Sequence, residues 1–206
     1  MFLTSLSVGP IETNCYILAC DQTKKAIIID PGDEAERILN LLQQNNLTPV
    51  TIVNTHGHFD HTSANADLKK ATEASLLIHE KDAFMLPILS ETAAIFGLSV
   101  PNSPNADAFL IPGQTIDIGT LQLEIRHVPG HTPGSIALYA KGFVFVGDSL
   151  FAGSIGRTDL PGGNLKELVE SIRKELFTLP ADTVVYSGHG PSTTIGEEIA
   201  TNPFLT

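Results

Sequence analysis

Apolar positions along this 206-residue chain follow two rhythms. Short runs rich in β-branched and aromatic residues read as strands: "FLTSLSV", "NCYILAC", "KAIIID", "VTIVN" and "SLLIH", then "QTIDI", "LQLEIRHV", "SIALYA", "FVFVGD" and "TVVYSG". Between them the spacing turns helical. Over 33 to 46, Ala35, Ile38, Leu39 and Leu42 share one face, with Asp33 and Glu36 placed as a capping box. Over 164 to 178, Leu165, Leu168, Val169, Ile172 and Leu176 do the same, with Asn164 and Glu167 in the capping positions. A weaker helical face starts near Thr62 with Ala64, Leu68 and Ala71. Residues 80 to 107 read as a helix followed by a loop carrying Pro101, Asn102, Pro104 and Asn105.

The order of elements, strands then helix, strand and helix, is met twice. This predicts two similar halves, although no sequence identity links them. The expected architecture is an α/β sandwich with two sheets inside and helices outside, built as one domain over 1–206.

Charge changes the picture by exclusion. A net charge of −11 disfavours nucleic acid, which needs a basic patch. No stretch approaches the roughly 18 apolar residues of a membrane span, and Gly9-Pro10 interrupts the first apolar run. A protein without membrane partners and without a secretory leader is therefore expected. Cys15 and Cys20 lie five residues apart on one predicted strand and point to opposite faces. They are expected as free buried thiols of a reducing compartment, which makes cytoplasm the expected location.

Candidate chemistry sits where predicted strands end. "NTHGHFDH" after "VTIVN" carries His56, His58, Asp60 and His61. His131 follows "LQLEIRHV" in "PGHTPGS", Asp148 ends "FVFVGD", and His189 follows "TVVYSG". Residues two apart in an extended loop share a side, so His56, His58 and Asp60 can converge on one ion or divide between two. Seven imidazoles and carboxylates exceed the roughly three protein ligands of one catalytic zinc; they suit two divalent ions sharing one carboxylate. Such ligands accept zinc first, with iron and manganese as alternatives. His79 and His127 lack this context and read as structural. Asp30 in "IIIDPGD" reads as a buried turn residue bonding backbone, placed to buttress the metal loop from behind.

With these motifs in hand, the chain resembles the metallo-β-lactamase fold superfamily over nearly its whole length. "THGHFDH", "PGHTPGS", "GDSLF" and "SGHGP" match the family's successive metal motifs in order. The resemblance implies an αββα sandwich: two mixed β-sheets with helices on both outer faces. It implies His56, His58 and His131 around one ion, Asp60, His61 and His189 around another, and Asp148 bridging. It further implies metal-assisted hydrolysis by a hydroxide held between the ions, with Asp60 orienting the nucleophile. The runs "FAGSIGRTDLPGGN" and "NPFLT" look like the small glyoxalase II-like hydrolases, which cleave thioesters of the S-lactoylglutathione (hydroxyacylglutathione) type. The helical C-terminal domain of full glyoxalase II enzymes is expected to be absent. Arg157 falls where that family has a basic residue and is the expected anchor for a substrate carboxylate.

Asp148 argues against a true β-lactamase, and the length leaves no room for the insertion of nucleic-acid-processing members. A mononuclear iron persulfide dioxygenase would use His56, His131 and Asp148 as a 2-His-1-carboxylate set. Lactonases or phosphodiesterases of the fold, and a non-enzymatic metal- or partner-binding module, complete the alternatives. Residues 84 to 105 read as a substrate lid or a dimer contact, and oligomeric state stays open.

Overall fold

The computed structural model describes residues 1–205; Thr206, the last residue of "NPFLT", lies outside them. Six strands form the first sheet in the order β1 (Phe2–Val8), β2 (Thr13–Ala19), β3 (Lys25–Ile29), β4 (Thr48–Val53), β5 (Ser75–Ile78), β6 (Ala108–Phe109). β1 to β3 run antiparallel, and β3 to β6 parallel. Helix α1 (Ala35–Gln44) joins β3 to β4. The short α2 (Phe59–Thr62) and α3 (Asn65–Thr72) join β4 to β5. A 3₁₀ segment, Glu80–Ile88, and α4 (Leu89–Ile95) stand between β5 and β6.

The second sheet contains β7 (Thr115–Ile118), β8 (Leu121–His127), β9 (Ile136–Ala140) and β10 (Phe143–Gly147) as an antiparallel meander. β13 (Val184–Ser187) pairs parallel with β10, and β14 (Thr193–Thr194) closes the edge. A small ribbon of β11 (Leu150–Phe151) and β12 (Ser154–Ile155) follows β10. Helices α5 (Leu165–Ser171) and α6 (Ile195–Thr201) complete the chain.

Period-two alternation sorts the strand residues into layers. Cys15, Ile17, Ala26, Ile28 and Ile52 face outward onto α1 and α3, meeting Ile38, Leu42 and Leu68. Their neighbours Leu18, Ile27, Ile29 and Val53 face inward and meet Leu123, Leu138 and Phe145 of the second sheet. On that sheet's far side, Ala137, Val144 and Val146 pack on Leu168, Ile172 and Leu176. Both faces of the central strands are thus covered, which is why runs such as "AIII" and "FVFV" are apolar at every position. The result is the expected αββα sandwich of two mixed sheets.

Several local expectations need correction. The Asp33–Glu36 capping box does not form. Glu34 takes the N-cap position in a left-handed conformation (φ 54°), which moves the helix start to Ala35. Asp33 Oδ1 then accepts only from the Glu34 amide, at 2.6 Å. At 164 the cap does form: Asn164 Oδ1 accepts from Glu167 N at 3.1 Å. That helix is regular only to Ser171 and then widens into a π turn over Ile172–Leu176. The two-residue strands β6, β11, β12 and β14 are too short to show a period. Cys15 and Cys20 are both free and buried. Among the described residues no helix is long and apolar enough to cross a membrane.

Ile28 is completely buried in the layer beneath α1. Ile28→Ala is expected to lower unfolding free energy by about 2–5 kcal/mol in a urea titration. Ile95→Ala, at a position 81% exposed, should stay within about 0.5 kcal/mol. Equal effects would contradict this layering.

Candidate metal centre

β8, β10 and β13 point the same way, since β8 and β10 both run against β9 and β13 is parallel to β10. Their C-terminal ends therefore share one sheet edge, where the loop after β4 meets them. His56, His58, Asp60, His61, His131, Asp148 and His189 are all brought together there, in three overlapping groups: His56, His58 and His131; His56, His61 and Asp148; Asp60, His61 and His189. Within each group the ligand atoms lie within 4.8 Å of one another.

Distances show how the groups join. His131 Nε2 is 3.3 Å from His56 Nε2 and 3.0 Å from His58 Nδ1. Asp148 Oδ1 lies 3.3 Å from His61 Nε2, while its Oδ2 lies 3.8 Å from His131 Nε2 and 3.6 Å from His189 Nε2. Asp60 Oδ2 is 3.2 Å from His189 Nε2 and 3.6 Å from His61 Nε2. Asp148 thus stands between the two histidine groups.

Buried partners set the tautomers. The Arg157 carbonyl, which can only accept, lies 2.8 Å from His131 Nδ1, so that nitrogen carries the proton. Thr55 Oγ1 donates to Asp30 Oδ2 at 2.7 Å, which leaves it to accept from His56 Nδ1 at 3.1 Å. Both rings consequently turn bare Nε2 lone pairs toward each other. Lone pairs 3.3 Å apart with no proton to share repel, and a cation between them removes the repulsion.

Proton affinity divides the cluster. Burial, reinforced by His61, His131 and His58, holds His56 well below the usual imidazole range. Burial and His131 likewise push His58 down to about 4, against Asp60 and Asp148. At His61 burial opposes charge, but Asp148, Asp60 and Asp30 outweigh it and hold the ring well above its ordinary value. His189 is raised in the same way, with Asp60 as the main carboxylate working against burial. Asp148 is held below the carboxylate range although burial pulls upward, because His61 faces it. His61 Nδ1 and Nε2 and Asp148 Oδ1 are buried with no aligned hydrogen-bond partner, despite the 3.1 Å contact of His61 Nδ1 with Asp30 Oδ2. Buried polar atoms without partners call for an explanation, and an ion among these ligand-type side chains supplies it. The donor set fits a divalent metal.

Space at the site is reserved as well. A Cβ added at Gly188 would overlap Asp148 Oδ1 and approach His61 Cε1 to 2.6 Å. Gly147 has φ +51° and lies against Thr55 Oγ1, so an L side chain there is both strained and obstructed.

Asp30 accepts from Thr55 N and Oγ1, both at 2.7 Å, and touches His61, so it braces the first loop from below. It does so at φ 52°, a left-handed conformation that aspartate tolerates better than most residues. The Arg157 side chain is 52% exposed and forks onto Asp159, with two contacts of 2.8 Å. Its carbonyl, not its guanidinium, reaches the cluster. His79 and His127 stack on each other at 4.5 Å, away from the cluster. Asp82 escaped the sequence reading: fully buried, it accepts from Gly57 N (3.0 Å), Thr132 Oγ1 (2.6 Å) and Gly134 N (2.6 Å). It therefore clamps the His56–His61 loop to the His131 loop. Nothing local in "EKDAF" signals this, because all three donors are distant in sequence.

The sequence pattern of the metallo-beta-lactamase superfamily matches residues 8–189. Hydroxyacylglutathione hydrolase GloC of Haemophilus influenzae is 40% identical over 214 residues, covering 100% of this chain and 98% of its own. Among solved structures, BLEG-1 B3 metallo-beta-lactamase superposes with a TM-score of 0.93 at 40% identity, covering 100% of both chains. TTHA1623 in a di-iron-bound form gives 0.91 at 39% identity, over 98% of this chain and 100% of its own.

Asp82→Ala would strand two buried amides and remove one of the two partners of the Thr132 hydroxyl, at a cost of about 1–3 kcal/mol for each group left unpaired. The expected outcome is a chelator-treated protein that unfolds at clearly lower urea, and a metal affinity weakened about 10–100-fold by titration calorimetry. Unchanged metal affinity would remove Asp82 from any role in spacing the two loops.

Proposed function

The chain belongs to the metallo-beta-lactamase superfamily, and from that premise we propose that this metallo-hydrolase cleaves thioesters of the hydroxyacylglutathione type. The observation that carries the metal-dependent part is the set of facing lone pairs on His56 and His131, with Asp148 set between the two histidine groups. The thioester part is supported by the relative named hydroxyacylglutathione hydrolase, which aligns along the entire chain.

In this reading His56, His58 and His131 would hold one ion and Asp60, His61 and His189 the other, with Asp148 placed to serve both. When bound, two such ions supply a hydroxide near neutral pH and polarise a carbonyl. The chain's own contribution is placement. The Asp30–Thr55–His56 relay and the Arg157 carbonyl keep two Nε2 atoms bare and aimed. Asp60, partly open to the cleft, offers its carboxylate as acceptor for the attacking water's hydrogen. A cleft of about 440 Å³ lies over the cluster and draws the scissile bond out of bulk water. In the reaction the water oxygen bonds to the carbonyl carbon, the C–S bond breaks, and the sulfur leaves with a proton as a thiol. The nitrogen and oxygen ligands suit zinc, and the di-iron form of TTHA1623 puts iron beside it. The two free buried thiols support a cytoplasmic enzyme.

The test is metal analysis coupled to assay. The purified protein should contain two ions per chain and hydrolyse S-lactoylglutathione. His56→Ala and Asp148→Ala should each lower kcat/KM by more than about 100-fold, beyond the loss typical of groups behind the ligands. One iron with oxygen uptake on a persulfide would favour the dioxygenase. Cleavage of nitrocefin alone would favour β-lactam hydrolysis, the activity in the name of BLEG-1.

Acid should empty the two positions in order. His61 and His189 are raised, so they take up protons at a higher pH than His56 and His58 and exclude metal first. His58, depressed to about 4, stays neutral and able to ligate. Metal content should fall from two to one per chain as pH is lowered, before the second ion is lost; simultaneous loss of both ions would contradict the assignment.

A further inference from the structure

One wall of the cleft is the segment between β5 and β6, which turns Phe84, Met85, Ile88, Ile95 and Phe96 toward it. Phe84, Ile95 and Phe96 remain 59%, 81% and 48% exposed. Single exposed apolar residues are ordinary, but several gathered on one wall above a reactive cluster mark a binding surface. The wall is anchored, because Phe96 packs on Phe59 of α2 with ring centroids 5.6 Å apart. It therefore holds a fixed relation to His58 and Asp60, which flank Phe59 in sequence.

A second wall comes from the 157–161 loop, with Leu160 and Pro161 beside Arg157. Among the described residues, Arg157 is the only permanently charged cation lining the cleft. Its Nε and Nη2 are already taken by Asp159, which leaves part of the guanidinium for a solvent-facing anion. A glutathione-type thiol is charged at both ends and has no partner on the Phe84–Phe96 wall. Desolvating its carboxylates there would cost more than any contact returns. With the carbonyl at the ligand cluster, the charged thiol belongs toward the Arg157 loop and the acyl side belongs on the apolar wall.

We propose that the acyl group this site takes is bulky and apolar: a 2-hydroxyacyl thioester with an aryl or alkyl side chain in place of the lactoyl methyl. The inference rests on the thioester-hydrolase reading above and names the acyl class within it. The bond changes are the same, giving a 2-hydroxy acid and a thiol. Selectivity comes from apolar surface removed from water as the side chain settles on Phe84, Ile88 and Phe96.

The experiment compares S-lactoyl-, S-(2-hydroxyhexanoyl)- and S-mandeloylglutathione with the metal-loaded full chain. The carrier is constant, so only the acyl side chain varies. We expect kcat/KM to rise roughly tenfold from lactoyl to either larger substrate, the effect of about two methylene groups' worth of newly buried surface, and mainly through KM. In Phe84→Asp that ratio should fall to about twofold or less. Phe84 is exposed, so the substitution leaves the core intact, which circular dichroism checks. Hydrolysis of all three at equal kcat/KM, or a ratio that survives in Phe84→Asp, overturns the acyl assignment and leaves the hydrolase standing. Failure to hydrolyse any of the three overturns the thioester reading, and this inference with it.

Discussion

The centre depends on the dry contact between the two sheets. Leu18, Ile27, Ile29 and Val53 of the first meet Leu123, Leu138 and Phe145 of the second. Removing that area from water fixes the sheets against each other, and interiors packed at this density allow little sliding. The strand ends that carry ligands are fixed with them. His56 and His131 come from different sheets and are 75 residues apart in sequence, yet their Nε2 atoms lie 3.3 Å apart. No local preference could hold two lone pairs in that position.

Rigid sheets alone would not aim the side chains. That is done by polar groups buried under the loops: Asp30 through Thr55, the Arg157 carbonyl, and Asp82 across Gly57, Thr132 and Gly134. Each is satisfied by several donors or is itself an acceptor for an imidazole, which limits the cost of burying it. The ligands themselves are the exception. His61 and Asp148 keep buried atoms without aligned partners, so stability is given up locally where an ion is to sit.

The same arrangement makes the cluster electrostatically lopsided. On the His56, His58 and His131 side, imidazole rings crowd together, and burial keeps protons off His56 and His58. On the other side three aspartates surround His61 and favour its proton. A metal entering the first group meets free lone pairs, and one entering the second must displace a proton. The two positions are therefore inequivalent even though their ligand types are alike.

Much of this was legible along the chain. The seven ligand-type residues stood out because each lies in a Gly- or Pro-containing turn just after an apolar run, and both signals are local. The layer order was legible because period-two alternation survives wherever a sheet has a face to bury. Asp33 misled, since the backbone at Glu34 turned left-handed and moved the helix start by one residue. The sequence by itself determined which side chains could ligate and which strands would carry them. Tertiary structure alone decided that Asp82 clamps two loops, that the Arg157 carbonyl meets His131, and that Phe84, Ile95 and Phe96 gather over the cluster. The physical reason is range: spacing and propensity act over a few residues, whereas clamps, carbonyl contacts and cleft walls are made between atoms that only the packed sheets bring together.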